Sequence, residues 1–208
     1  MIYKVRFVIT KRYRMDQYTQ LSNKSGYLEI ILGPMFSGKT SKILEVYKQC
    51  TFCSIPVMVI NHSVDTRYGT SVISTHDGQK IPSLITDNIQ ELWKSERDNK
   101  VDVVLINEGQ FFEGLYEAVV QMLKEEKRVY VCGLDGDFKR EKFGEILDLI
   151  PICDNVYKLH SLCGVCKNGR EGIFSQRITK ETDQTLVGVE NYIPVCRHCF
   201  TEASRING

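Results

Sequence analysis

At 208 residues, the chain is long enough to bury one good core and a small appendage. A formal charge of +1 with 25% charged residues gives no overall field to draw in nucleic acid or an anionic membrane, so neither is expected as a partner. No apolar run reaches the ~18 residues that a membrane span requires, and no apolar segment with a small-residue cleavage site opens the chain, which points to a soluble, cytoplasmic protein.

Residues 1–26 stand apart. Lys4, Arg6, Lys11, Arg12, Arg14 and Lys24 oppose Asp16 alone, making this arm about +5 and the remainder about −4. Such an arm suits nucleic-acid contact or organelle import, but it is short and without clear periodicity, which favours a disordered extension.

From Tyr27 the pattern changes. The run YLEIIL (27–32) reads as a buried strand. Directly after it, GPMFSGKT (33–40) places Gly33, four residues, Gly38, Lys39 and Thr40, a spacing in which backbone N–H groups wrap a polyphosphate. The glycines let the backbone turn tightly, Lys39 offers charge to the outer phosphates, and Thr40 offers a hydroxyl to Mg²⁺. Lys39 to Thr51 reads as a helix with Ile43, Leu44, Tyr47 and Thr51 on one face. The loop then sits at a helix N-terminus, where anions bind, and nucleoside triphosphate binding is expected.

Further along, Pro56 to Asn61 reads as a strand, and residues 62–80, rich in Ser, Thr, Gly and Asp, as a long loop. A helix from Asp87 to Arg97, a strand at Val101–Ile106, a helix at Gly114–Glu126 with Leu115, Val119, Met122 and Leu123 on one stripe, and a strand at Arg128–Leu134 follow. Alternation of this kind implies a parallel sheet. It stops near Pro151, and the last ~58 residues are too few and too polar to hold a core without a staple. The expected fold is α/β: a P-loop parallel sheet flanked by helices over 27–150, with a small zinc-ribbon subdomain over 151–208.

The staple is read from cysteine. Cys163 and Cys166 form one C-x-x-C pair and Cys196 and Cys199 another, with 29 residues between the pairs, the arrangement in which two knuckles close one tetrahedral zinc site. His198 is a substitute ligand by type, but its neighbour Cys199 completes the pair. Cys50, Cys53, Cys132 and Cys153 are left as small hydrophobes.

A P-loop enzyme needs a carboxylate at the end of a neighbouring strand. The strand VDVVLI runs straight into Asn107-Glu108-Gly109-Gln110-Phe111-Phe112, which at the carboxyl edge of a parallel sheet faces the P-loop. Glu108 is then placed to take a proton from an attacking hydroxyl, and Phe111 and Phe112 to wall a flat ring. Position alone leaves open a solvated glutamate and two core phenylalanines.

GPMFSGKT, DTRY (65–68), STHD (74–77), NEGQFF (107–112), GLDGDF (133–138) and the two C-x-x-C pairs occur in the order seen in thymidine kinases of the zinc-ribbon type, which the chain resembles from about Tyr27 to Phe200. The resemblance implies transfer of the γ-phosphate of ATP, with Mg²⁺, to the 5′-hydroxyl of thymidine, giving dTMP. It also implies inhibition by dTTP, structural Zn²⁺ and a homotetramer. By position, Glu108 matches the family's general base, and Gly33, Pro34, Met35, Phe36, Ser37, Gly38, Lys39 and Thr40 match its donor-phosphate loop. Asp65, Arg67, Asn107 and Gln110 match further donor-site positions. Phe111, Leu134, Phe138 and Phe143 match the apolar wall around thymine, while Ser175, Gln184, Leu186, Val187, Gly188 and Tyr192 fall on the lasso that closes over the base. Thymine presents acceptor, donor, acceptor, which an extended backbone can pair.

Two departures accompany the resemblance. Asn107 stands where the family often has aspartate, and the spacing between Cys166 and Asn191 is irregular. Other classes compete on single features. Asn99-Lys100-Val101-Asp102 matches a guanine-reading motif but precedes the carboxylate strand, with no D-x-x-G anywhere in the chain. A nucleic-acid-binding ribbon would need clustered Lys and Arg with interleaved aromatics, which residues 151–208 lack. A catalytically weak sensor is compatible with Asn107.

Overall fold

The run YLEIIL is almost continuously apolar because it forms an interior strand. β1 (Tyr27–Leu32) pairs in parallel with β7 (Arg128–Gly133) on one side and β8 (Asn155–Lys158) on the other. The computed structural model describes residues 25–65, 72–74, 78–96, 100–186 and 188–206, without the side chains of Val189 and 204–206. Beyond β7 the sheet continues through β6 (Val103–Ile106) and β2 (Val57–His62) to β5 (Leu84–Thr86), in the order β5-β2-β6-β7-β1-β8 with parallel pairing throughout. This is the expected α/β architecture. Its last strand, β8, comes from the segment after Pro151.

Helices cover both faces. α1 (Lys39–Phe52) closes one face, over Ile31, Val59, Leu105, Tyr130 and Cys132. Its buried stripe is Ile43, Leu44, Val46 and Cys50, while Tyr47 is only half-buried and Thr51 is exposed, so the helix is rotated from the face expected. α2 (Ile89–Ser95) and α3 (Leu115–Lys124) close the other face, burying Ile89, Trp93, Leu115, Ala118, Val119 and Met122 against Leu28, Ile30, Ile60 and Val104. Asn88 caps α2, its side chain accepting from Glu91 N–H at 3.0 Å, which fixes the helix start. The loop expected over 62–80 contains part of a hairpin, β3 (Val72–Ser74) against β4 (Lys80–Pro82). Its partners Ile73 and Ile81 are buried and join the apolar cluster between the sheet and α1. No helix among the described residues is long and apolar enough to cross a membrane.

After β8 the elements shrink. β9 (Ser161–Leu162) pairs with β10 (Glu171–Gly172), β11 (Phe174–Arg177) pairs with β12 (Tyr192–Val195), and α4 (Arg197–Ile206) follows. Their core is Cys163, Val195, Cys196 and Phe200, with Phe174 and Ile193 packed on it.

A carboxyl lies buried between the sheet and α1. Glu29 faces α1 at 6% exposure and accepts from the Tyr27 hydroxyl at 2.9 Å. Burial pushes its carboxyl up, against the opposing pull of Tyr27, Lys42 and Arg128. A carboxyl raised in the folded state binds more protons folded than unfolded between its two pKa values, so stability falls as pH rises through that window. Glu29→Gln keeps an acceptor for Tyr27 without the charge. It should unfold at a higher temperature than wild type at pH 7.5, by ~2–4 °C for each kcal/mol relieved. Thermal denaturation should show that gap closing towards pH 4.

Candidate active site at the carboxyl edge of the sheet

Parallel pairing puts the carboxyl ends of β1, β7, β6 and β2 side by side, and the segments leaving them line one cleft. Leaving β1, the chain turns at Gly33 with φ 152°, where a Cβ would stand 2.5 Å from the carbonyl oxygen of Leu159. Gly38, with φ 84°, then starts α1 without a side-chain cap. Met35, Phe36, Ser37, Gly38, Lys39 and Thr40 line the cleft, as does Ser41. Gly33 and Pro34 are not part of the wall, but the Pro34 carbonyl accepts from Lys39 Nζ at 2.7 Å. The Met35 N–H donates to Ser175 Oγ at 2.9 Å, joining the loop to β11.

The exit of β2 supplies Asp65 through a buried relay. Cys132 Sγ–H donates to Asn107 Oδ1 (3.0 Å), Asn107 Nδ2 to Asn61 Oδ1 (2.9 Å), and Asn61 Nδ2 to Asp65 Oδ2 (3.1 Å). Asp65 lines the cleft. Asn107, at 2% exposure, does not, so its link to the cleft runs through Asn61. Beside the relay, His62 Nδ1 accepts from Val64 N–H at 3.1 Å, and burial pushes its pKa down, which keeps that nitrogen an acceptor.

Leaving β6, Glu108 adopts φ 53° and ψ 43°, a left-handed conformation that costs a non-glycine residue on the order of 1–3 kcal/mol. Gln110 holds it there. The Gln110 amide donates to Glu108 Oε2 at 2.8 Å and accepts from Leu134 N–H at 2.9 Å, bridging the ends of β6 and β7. Both residues line the cleft. Phe111 lies edge-on to Phe143 with centroids 5.4 Å apart, and Leu134 and Phe138 extend that apolar wall. Phe112 is not part of it. At 1% exposure it sits in the main core, edge-on to His62 at 4.7 Å.

Ser175 of β11, Tyr192 of β12 and, from the segment between these strands, Gln184, Thr185, Leu186 and Gly188 close the remaining side. Arg67 and Val187 lie outside the described residues, as do most of the basic arm and Asn99. Sequence reasoning passed over Val64, Gly136 and Asp137, which also line the cleft. Asp137 had a signal, since it lies inside GLDGDF. Val64 had none.

Apart from the cleft, Cys163, Cys166, Cys196 and Cys199 bring their sulfurs within 4.8 Å of one another. That spacing suits four thiolates around one ion at ~2.3 Å each. Burial raises the Cys163 thiol, but backbone N–H groups, those of Cys166 and Cys196 foremost, outweigh it and hold its pKa at about 6. His198 is not among the clustered ligands, nor are the other four cysteines.

A family model described as "Thymidine kinase" matches residues 26–200. A thymidine kinase of Oryza sativa subsp. japonica is 40% identical over 183 residues, covering 85% of this chain and 67% of that protein. One from Yaba monkey tumor virus is 38% identical, with 86% and 97% covered, and one from Bacteroides thetaiotaomicron is 36% identical, with 93% and 96% covered.

The relay fixes what position 107 tolerates. In Asn107→Asp the new carboxylate loses the donor to Asn61, and an Asn61 amide flipped to serve it would turn its own oxygen on Asp65. The variant should lose about 1–3 kcal/mol of stability, read by urea denaturation, with a larger loss at pH 8 than at pH 5.

Proposed function

The chain belongs to the thymidine kinase family, and from that premise we propose how its cleft moves the γ-phosphate of ATP to the 5′-hydroxyl of thymidine. The observation that carries the assignment is the convergence of the P-loop, Glu108 and the Phe111–Phe143 wall on one cleft. The loop from Gly33 to Thr40 takes the donor phosphates, its amides and Lys39 meeting the charge. Thr40 and Asp65 are hard oxygen donors on the same wall and fit Mg²⁺, which would neutralise charge on the phosphates when bound. Gln110 completes the donor side, Asn107 acting on it through Asn61 and Asp65.

Opposite them, thymine lies against Phe111, Leu134, Phe138 and Phe143. The lasso, from Gln184 to Gly188 with Ser175 and Tyr192, offers backbone groups to its edge. Glu108, held by Gln110, takes the proton of the 5′-hydroxyl as the oxygen attacks the γ-phosphorus and the bond to the β-phosphate oxygen breaks, ADP leaving with its phosphates on the loop. A pocket for thymidine and a loop for a triphosphate share the cleft. That arrangement suits dTTP as a bisubstrate-like inhibitor, its base on the wall and its phosphates on the loop. The four-cysteine cluster holds structural Zn²⁺, its donor set and closeness fitting that ion.

Glu108→Gln keeps size and hydrogen-bonding reach but accepts no proton. Its kcat for thymidine should fall ~10²- to 10⁴-fold with thymidine affinity retained, measured by coupled ADP release and by calorimetry. A fall of less than about tenfold would place the base elsewhere.

About one Zn²⁺ per chain should be found by metal analysis. Cys163→Ser or Cys196→Ser should lose the ion together with thymidine affinity, because the knuckles flank the lasso. Full activity of metal-free protein would remove this role.

A further inference from the structure

We propose that Arg177 is a positioning residue that latches the lasso in the shape that receives the base, an inference that rests on the thymidine kinase reading of the cleft. Arg177 ends β11 opposite Tyr192, at the neck of the lasso, and is 8% exposed. Its Nη1 donates to the carbonyl oxygens of Glu181 (3.0 Å) and Asp183, and its Nη2 to the carbonyl oxygen of Gln184 (3.2 Å) and the Tyr192 hydroxyl. The guanidinium carbon also stands 3.9 Å from the centroid of Phe138, a residue of the thymine wall. One buried cation therefore gathers three lasso carbonyls, a phenol and an aromatic face.

Gln184 carries the tie across the cleft. Its carbonyl accepts from Arg177, while its amide donates to Asp137 Oδ2 at 2.9 Å. Asp137 is itself fixed, its Oδ1 accepting from the N–H groups of Lys139 (2.8 Å) and Glu141 (2.9 Å). The lasso is thus fastened to the segment after β7 at two points, Arg177 on Phe138 and Gln184 on Asp137. A carbonyl held by Arg177 fixes the plane of its whole peptide, and recognition of a base by backbone groups depends on peptide orientation. Lysine cannot replace this arrangement. Its ammonium donors radiate from one atom and neither span four acceptors nor stack flat on a ring.

The test compares wild type with Arg177→Lys and Arg177→Gln in three measurements. These are steady-state kinetics for thymidine and ATP, zinc content, and the rate of trypsin cleavage at exposed Lys180 in ligand-free protein, followed by mass spectrometry. The thymidine KM should rise ~10- to 100-fold in both variants, as expected for losing hydrogen bonds to a charged group. The kcat and the ATP KM should stay within about twofold and zinc should be retained. Cleavage at Lys180 should accelerate in both, with lysine no better than glutamine. A wild-type thymidine KM and cleavage rate in Arg177→Lys would overturn the latch. So would equal rises in both KM values with loss of zinc, which would make Arg177 a scaffold residue of the ribbon. The cleavage arm needs no substrate. If wild type failed to phosphorylate thymidine, the assigned activity would fall, and the cleavage rates would still decide for or against the latch.

Discussion

Parallel pairing of β1 between β7 and β8 is the constraint on which the rest depends. Strands that all run one way deliver their carboxyl ends to one edge, so the P-loop, Asp65, Glu108 and Leu134 meet there despite their separation in sequence. Adjacency has a second effect. Gln110 can hold the strained Glu108 and reach the Leu134 amide only because β6 and β7 are neighbours, with Ile106 opposite Val131. Strain at one residue is thereby offset by the register of two strands.

The ribbon answers a different constraint. Cys163, Val195, Cys196 and Phe200 bury too little apolar surface to order the lasso by packing alone. Four sulfurs lie close enough to share one ion, which would supply the missing cross-link, and the Arg140 guanidinium, 4.5 Å from the Phe200 ring centroid, ties this small core to the segment after β7. Order is thus supplied at the root of the lasso by the cysteines and along its length by polar contacts.

Much of this was legible in the residues, for physical reasons. A strand buried on both faces is apolar almost throughout, which marks β1 despite Glu29, and a loop that wraps phosphate must place glycines at fixed spacing, which marks residues 33–40. The C-x-x-C pairs likewise carry their geometry in their spacing. Other features depend on what lies opposite. The rotation of α1 towards Val46 and Cys50 was hidden because the row through Tyr47 and Thr51 is almost as apolar, and only the facing sheet decides between them. The pair Phe111 and Phe112 is ambiguous for the same reason, one lining the cleft and the other filling the core. Asn107 showed as a departure, but its partners Asn61 and Cys132 come from flanking strands that are far away in sequence. Arg177 left no trace, because a single arginine in a polar stretch carries no period.

The hydrogen bond from Met35 N–H to Ser175 Oγ bears on the order in which substrates bind. Met35 lies in the loop proposed to meet donor phosphate, and Ser175, on β11, at the base of the proposed acceptor clamp. A donor phosphate that claimed this amide would displace Ser175 from it, and the two half-sites would then be coupled. Whatever factor the donor applies to acceptor affinity, the acceptor returns to donor affinity. The coupling therefore needs no movement of the sheet, only a contest for one proton between a phosphate and a serine.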